Sequence, residues 1–269
     1  MERGAYNVPD IKLNNGVKMP SFGFGTWNLA EGEEVINSVS EALNAGYRLI
    51  DTARIYSNER GVGQAVRKSI VPREEIFVTT KLWPGDFGFD SALQAFDESL
   101  NRLRLEYIDL YLVHWPGHDA NRRQESWRAL TEINGKGLTK SIGVSNYMVE
   151  HLEELLETSN VVPAVNQIEF HPYIYNEQRP VLEFCQQHKI VIEAYSPLTQ
   201  GRGLDSITVR DIAERMDRTP AQVVLRWAIQ HGTVPIPKSA TPERIRENIE
   251  VFDFELSAED MKTLDELSS

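Results

Sequence analysis

The sequence predicts an α/β protein, a single (β/α)8 barrel of the TIM type over residues 1–269, with an N-terminal β-hairpin closing its bottom. Three observations carry this expectation. Eight short apolar runs alternate with amphipathic helical stretches, spaced roughly 25–40 residues apart, as βα units should be. The runs are apolar on both faces, which suits a buried parallel sheet, and eight is the number that closes. The first run leads into Gly25-Thr26-Trp27 rather than a G-x-G-x-x-G turn, which counts against a doubly wound open sheet.

The elements follow in order. Residues 11–19 alternate around Asn15-Gly16, a hairpin signal. The strand runs are 22–25, 49–51, 76–81, 108–114, 141–145, 164–169, 191–195 and 234–236. Helical stripes lie between them. Val35, Val39, Ala42 and Leu43 form one, Leu93, Phe96, Leu100 and Leu103 another, and Leu152, Leu155 and Leu156 a third. Thr219-Pro220-Ala221-Gln222 reads as a helix start with a capping box. Thr241-Pro242 and Ser257-Ala258-Glu259-Asp260 read as two further starts, and a helix over 124–133 follows the fourth strand closely. No linker or low-complexity tract interrupts the pattern.

Composition narrows the function classes. Lys and Arg number 28 against 40 Asp and Glu, a net charge of −12, so a nucleic-acid polymer would meet a like-charged surface. Cys185 is the one cysteine, which excludes a disulfide framework and a multi-cysteine metal site. No run reaches the ~18 apolar residues of a membrane span, and MERGAYNVPD lacks a signal-peptide core. A cytoplasmic, reducing setting and a monomer are the expectations.

In this fold the active site lies at the C-terminal ends of the strands. Asp51, Lys81 and His114 end the second, third and fourth runs, and Tyr56 follows Asp51 by five residues. A phenol is a poor acid at neutral pH, with a pKa near ~10. An adjacent ammonium favours the phenolate, a carboxylate holds that ammonium charged, and a histidine can orient a carbonyl. Such a cluster is suited to protonating a carbonyl oxygen. It carries no electron-rich carbon, so a hydride would come from a bound cofactor.

Five motifs stand in order at these strand ends: 51-DTARIYSNE-59, 80-TKLW-83, 112-LVHWP-116, 142-IGVSN-146 and 236-IPKS-239. With them the chain resembles the aldo-keto reductases over nearly its whole length, and the short, prokaryotic-type glyoxal and 2,5-diketo-gluconate reductases within that family. The resemblance implies NADPH-dependent reduction of aldehydes and ketones on a barrel. It implies Tyr56 as general acid, tuned by Lys81 and Asp51, with His114 orienting the substrate carbonyl. Ser145, Asn146 and Gln167 would bind the nicotinamide carboxamide, and Tyr195 would stack on the ring. Lys238, Ser239 and Arg244 would bind the 2′-phosphate, and Glu247 and Asn248 the adenine. Gly25 and Thr26 would sit against the cofactor, and Ser196 and Leu198 along the pyrophosphate. The charges of Lys238 and Arg244, with unpaired N–H groups at the Thr241-Pro242 helix start, agree with a phosphate site.

Trp27, Trp83 and Trp115 each follow a strand end and are read as substrate walls. Trp127 and Trp227 fall in helices and are read as packing. His171 is expected to be a satisfied structural histidine, His118 and His151 surface residues, and His188 and His231 helix C-terminal residues. Cys185 lies in a helix stripe and should be buried and inert, and Arg246 should lie on the surface. The chain stops just after its last helix and the loop after Pro116 is short, so an open, shallow pocket for small aldehydes, dicarbonyls or keto-sugars is expected. Two other classes stay open: a metal-dependent or carboxylate-pair hydrolase, in which Glu169 and Glu193 could pair, and a cofactor-binding protein without turnover.

Overall fold

The computed structural model describes residue 6 and residues 8–268. Most of the segment read above as lacking a leader, residues 1–10, falls outside them. The hairpin is present, as strands β1 (Asp10–Lys12) and β2 (Lys18–Pro20) with Ile11 opposite Met19. Its turn is wider than a two-residue Asn-Gly loop. The Leu13 amide donates to the Val17 carbonyl at 2.9 Å, and Gly16 takes φ +88°, where a side chain would be strained. Asn14 Nδ2 donates to the Pro163 carbonyl at 2.9 Å and Asn15 Nδ2 to Ser141 Oγ at 3.0 Å. Those bonds tie the turn to the far wall of the barrel. Leu13 and Met19 pack with Leu49, Phe77, Val165 and Val234, residues at the strand N-termini, so the hairpin plugs that end.

Eight parallel strands follow: β3 (Gly23–Gly25), β4 (Leu49–Asp51), β5 (Phe77–Leu82), β6 (Ile108–Val113), β7 (Thr139–Ser145), β8 (Val165–Glu169), β9 (Val191–Tyr195) and β10 (Val234–Pro235). Each pairs with the next in chain order. The amide of Gly25, the last residue of β3, donates to the carbonyl of Pro237, just beyond β10, at 3.0 Å and joins the first strand to the last. A Cβ on Gly25 would lie 2.8 Å from the Ile236 carbonyl oxygen, so only glycine allows that approach.

The helices are α1 (Glu33–Ala45), α2 (Glu59–Lys68), α3 (Phe89–Leu103), α4 (Ala120–Gly135), α5 (Val149–Thr158), α6 (Tyr175–Gln187), α7 (Ile207–Arg215), α8 (Pro220–Gln230), α9 (Pro242–Asn248) and α10 (Ala258–Asp265). The stripe of Val35, Val39, Ala42 and Leu43 on α1 is fully buried, and each large member contributes about 1.5–3 kcal/mol. Trp127 and Trp227 are buried in the helical layer, and the buried Cys185 thiol is pushed up to about 12. Thr219 and Ser257 cap α8 and α10 with reciprocal bonds to Gln222 and Asp260.

Four local readings are corrected. Helix α4 starts at Ala120, capped by Asp119, which accepts the Arg122 amide at 3.1 Å; an exposed polar first turn hid that start. Thr241 makes no side-chain cap; Ser239 Oγ accepts its amide at 3.0 Å instead. His171 is only half satisfied: Nε2 lies 3.3 Å from Glu169 Oε1, while the buried Nδ1 has no partner among the described residues. His151 Nδ1 accepts the Met148 amide at 3.2 Å and so caps α5 rather than merely lying on the surface. Among the described residues no helix is long and apolar enough to cross a membrane.

Candidate active site

The C-terminal ends of the strands surround a cleft of about 1170 Å³. Behind its Asp51 and Tyr56 lining stands Lys81 on β5, fully buried. Lys81 Nζ donates to both oxygens of Asp51 at 2.7 Å, to the Thr52 carbonyl at 2.9 Å and to Tyr56 Oη at 3.4 Å. Burial works against the charged amine, but Asp51 outweighs it and the ammonium is held above its ordinary value. Burial lifts Asp51 in turn, opposed by Lys81 and Gln167.

Tyr56 ends a single 3-10 turn, Arg54–Tyr56, set over β4 by the extended Ala53. The loop is fixed by neighbours in the same motif. Buried Asn58 donates to the Thr26 and Leu29 carbonyls and accepts from Thr52 Oγ1 at 2.8 Å. Arg54 pairs with Asp86 at 2.8 Å. The ammonium alone would lower the phenol; in this protein burial dominates and Tyr56 is raised overall, Lys81 opposing. His114 follows β6 and continues its ladder, its amide donating to Leu82. Its ring stands edge-on to Tyr56 and to Trp83, with centroids at 5.7 and 5.4 Å. Burial, then Lys81, pushes its pKa down to about 2, so the imidazole is neutral.

A second network lies beside this one. Tyr195 Oη donates to Asn146 Oδ1 at 2.8 Å, Asn146 Nδ2 to the His114 carbonyl at 3.0 Å, and Ser145 Oγ to the Gln167 carbonyl at 2.9 Å. Gln167 Nε2 donates across the barrel to Asp51 Oδ2 at 2.8 Å and sideways to Glu193 Oε2 at 2.6 Å. Farther along, the cleft is lined by Ser196, Leu198, Lys238, Ser239, Arg244, Glu247 and Asn248.

The matching family model, described as the Aldo/keto reductase family, covers residues 21–269. This chain belongs to that family. It is 49% identical to the glyoxal reductase of Bacillus subtilis over 96% of its own length and 92% of the relative's. A crystal structure of an aldo/keto reductase from Brucella melitensis superposes with a TM-score of 0.94 at 46% identity, covering 97% of this chain and 98% of that one. A mutant of Gox0644, solved in complex with NADPH, superposes with a TM-score of 0.92 at 44% identity, covering 98% and 95%.

In this aldo/keto reductase the residues singled out by sequence fall into two groups. Asp51, Tyr56, Lys81 and His114 converge, and Gly25, Trp27, Trp83, Trp115, Ser145, Asn146, Gln167 and Tyr195 line the cleft around them. Thr26 is the exception: it is fully buried, its Oγ1 donates to the Asp51 carbonyl at 2.8 Å, and it does not line the cleft. It braces β4 from behind. Arg246 lies on the surface, paired with Glu41 at 2.6 Å. Helix α9 has only seven residues, so the cation side chains, not its dipole, dominate that end.

Residues without an assigned site role also line the cleft, among them Asn28, Ile55, Gln200 and Arg210. Glu193 was read only as a member of a rival carboxylate pair with Glu169. Strand alternation places it inward, two residues before Tyr195, and that is the signal for its position. Among the described residues no three His, Cys, Asp or Glu side chains converge as metal ligands.

Proposed function

We propose that this chain reduces small aldehydes, ketones and dicarbonyls to alcohols with NADPH, and that Tyr56 is the general acid. The observation that carries the reading is the buried Asp51–Lys81 pair against the Tyr56 phenol, beside a neutral imidazole and open to the cleft. The cleft fits the cofactor. Among the described residues Lys238 and Arg244 line it without a carboxylate partner, which leaves their charge for a phosphate.

When bound, NADPH supplies the hydride. Every other part belongs to the chain. Tyr56 Oη gives its proton to the carbonyl oxygen, and Lys81 stabilises the phenolate left behind. Asp51 keeps Lys81 charged through that step. His114, uncharged, donates one hydrogen bond that orients the carbonyl without competing as an acid. Ser145, Asn146 and Gln167 would hold the carboxamide, the Ser145 and Asn146 side chains giving up bonds they now make, and Tyr195 would stack on the ring. Ser239 supports Lys238 and Arg244 at the 2′-phosphate, Glu247 and Asn248 meet the adenine, and Gly25, Ser196 and Leu198 flank the path between. Trp27, Ile55 and Trp115 are each nearly half exposed and with Trp83 form an apolar mouth for small carbonyl compounds. Similarity to a glyoxal reductase supports that substrate class.

The test is NADPH oxidation followed on a carbonyl panel that includes glyoxal, methylglyoxal and an aromatic aldehyde. Tyr56→Phe should lower kcat by about 100- to 10 000-fold while NADPH still quenches tryptophan fluorescence. Retained turnover in that variant overturns the assigned acid.

A further inference from the structure

Glu193 is fully buried, yet the reduction just described gives it no task. It lies inward on β9, in register with Gln167 on β8 and Val234 on β10. Below it is the apolar plug that includes Leu49, Leu112, Val165 and Val234; above it on its own strand is Tyr195. The groups that face it are Gln167 by direct bond, and Asp51 and Lys81 through their charge.

The amide geometry is forced. An ionised Asp51 can only accept, so the Gln167 atom 2.8 Å from it is the nitrogen. That nitrogen also lies 2.6 Å from Glu193 Oε2. Both N–H bonds of Gln167 are therefore spent on carboxyl groups, and its carbonyl oxygen Oε1 is left for the cleft that Gln167 lines. We propose that Glu193 is a positioning residue: with Asp51 it clamps the Gln167 amide, so that Gln167 presents an acceptor to the nicotinamide carboxamide and fixes the ring's orientation. This rests on the cofactor reading above.

The chemistry of the alternatives explains a carboxyl at this place. An apolar side chain would leave one Gln167 N–H unpaired and the amide free to turn. A permanently ionised one would put a second negative charge beside Asp51, with Lys81 the single fully buried cation among the described residues. A neutral carboxyl accepts the bond and adds no charge. Burial, then Asp51, raises Glu193 to about 8, and its Oε1 has no partner among the described residues.

The experiment measures binding of two probes by tryptophan quenching and by calorimetry: NADPH, and adenosine 2′,5′-bisphosphate, which lacks the nicotinamide. In Glu193→Leu, NADPH should bind about tenfold more weakly, the size of one lost buried hydrogen bond, while the bisphosphate binds as before. Glu193→Thr, smaller and unable to reach Gln167, should give the same split and serves if the leucine variant does not fold. Glu193→Gln keeps an acceptor oxygen and should restore NADPH binding to within about threefold. In a Gln167→Leu background the Glu193 changes should add nothing further. Loss of neither probe, or of both equally, overturns the inference while leaving the cofactor reading intact. Wild-type protein that binds neither probe overturns both.

Discussion

At the Tyr56 end of the cleft, Asp51 and Lys81 are 2% and 0% exposed, 2.7 Å apart and bonded on every side. At the other end, Lys238 and Arg244 stand exposed, with no carboxylate partner among the described residues. The two ends place charge in opposite dielectric settings. A buried, paired charge acts strongly over a short range and needs no reorganisation when a proton moves. A solvated cation is screened and can only add affinity. The first should govern kcat and the second KM, and variants at each end can break that division.

The largest effect is expected at Lys81. Lys81→Met removes the fully buried cation paired with Asp51 and strands a carboxylate, a loss of about 3–5 kcal/mol in stability. It also removes the one group that lowers the Tyr56 phenol. Turnover should fall by about 100-fold or more, with NADPH binding retained in whatever fraction folds. Thermal unfolding and single-turnover kinetics separate the two losses. Near-normal kcat would mean that burial, not the ammonium, sets the acidity of Tyr56.

A smaller and different effect is expected at Arg244. Arg244→Ala should raise the KM for NADPH about tenfold, the size of one exposed charge-assisted hydrogen bond, and leave kcat and the KM for NADH nearly unchanged. Raising the salt concentration should weaken NADPH binding in the wild type more than in this variant. A drop in kcat equal to that of Lys81→Met would erase the contrast between the two ends.

The two ends were also unequally legible in the sequence. Asp51, Lys81 and His114 could be placed because each sits at the end of an apolar run, and strand direction alone sends all such residues to one rim. Lys238 follows the last strand in the same way, whereas Arg244, inside α9, rests on the family resemblance. What local pattern could not show was contact across the barrel. Gln167 meets Asp51 over 116 residues of sequence, a distance set by how the sheet closes and not by either strand. Thr26 escaped for a related reason: its hydroxyl turns back to the Asp51 carbonyl instead of up into the cleft. Glu193 is visible in the sequence as a strand residue, raised only for a rival pair with Glu169; its bond to Gln167 on the next strand needs the closed sheet.

The smallest effect on turnover is expected at Glu193, where pH acts on stability instead. Its folded pKa, raised to about 8, exceeds the ordinary carboxylate value near ~4.3. At pH 4 the carboxyl is protonated in both folded and unfolded chains and contributes nothing. As pH rises the unfolded chain releases this proton first, so the unfolded state gains and stability falls, until the folded carboxyl also ionises near pH 8. Glu193→Gln cannot titrate. The Tm of that variant relative to wild type should therefore climb between pH 5 and pH 8. Scanning calorimetry of the cofactor-free protein reads the trend directly. A Tm difference that is flat with pH would mean that Glu193 is already ionised at neutral pH, and the buried rim would then carry a net negative charge beneath the nicotinamide rather than a balanced one.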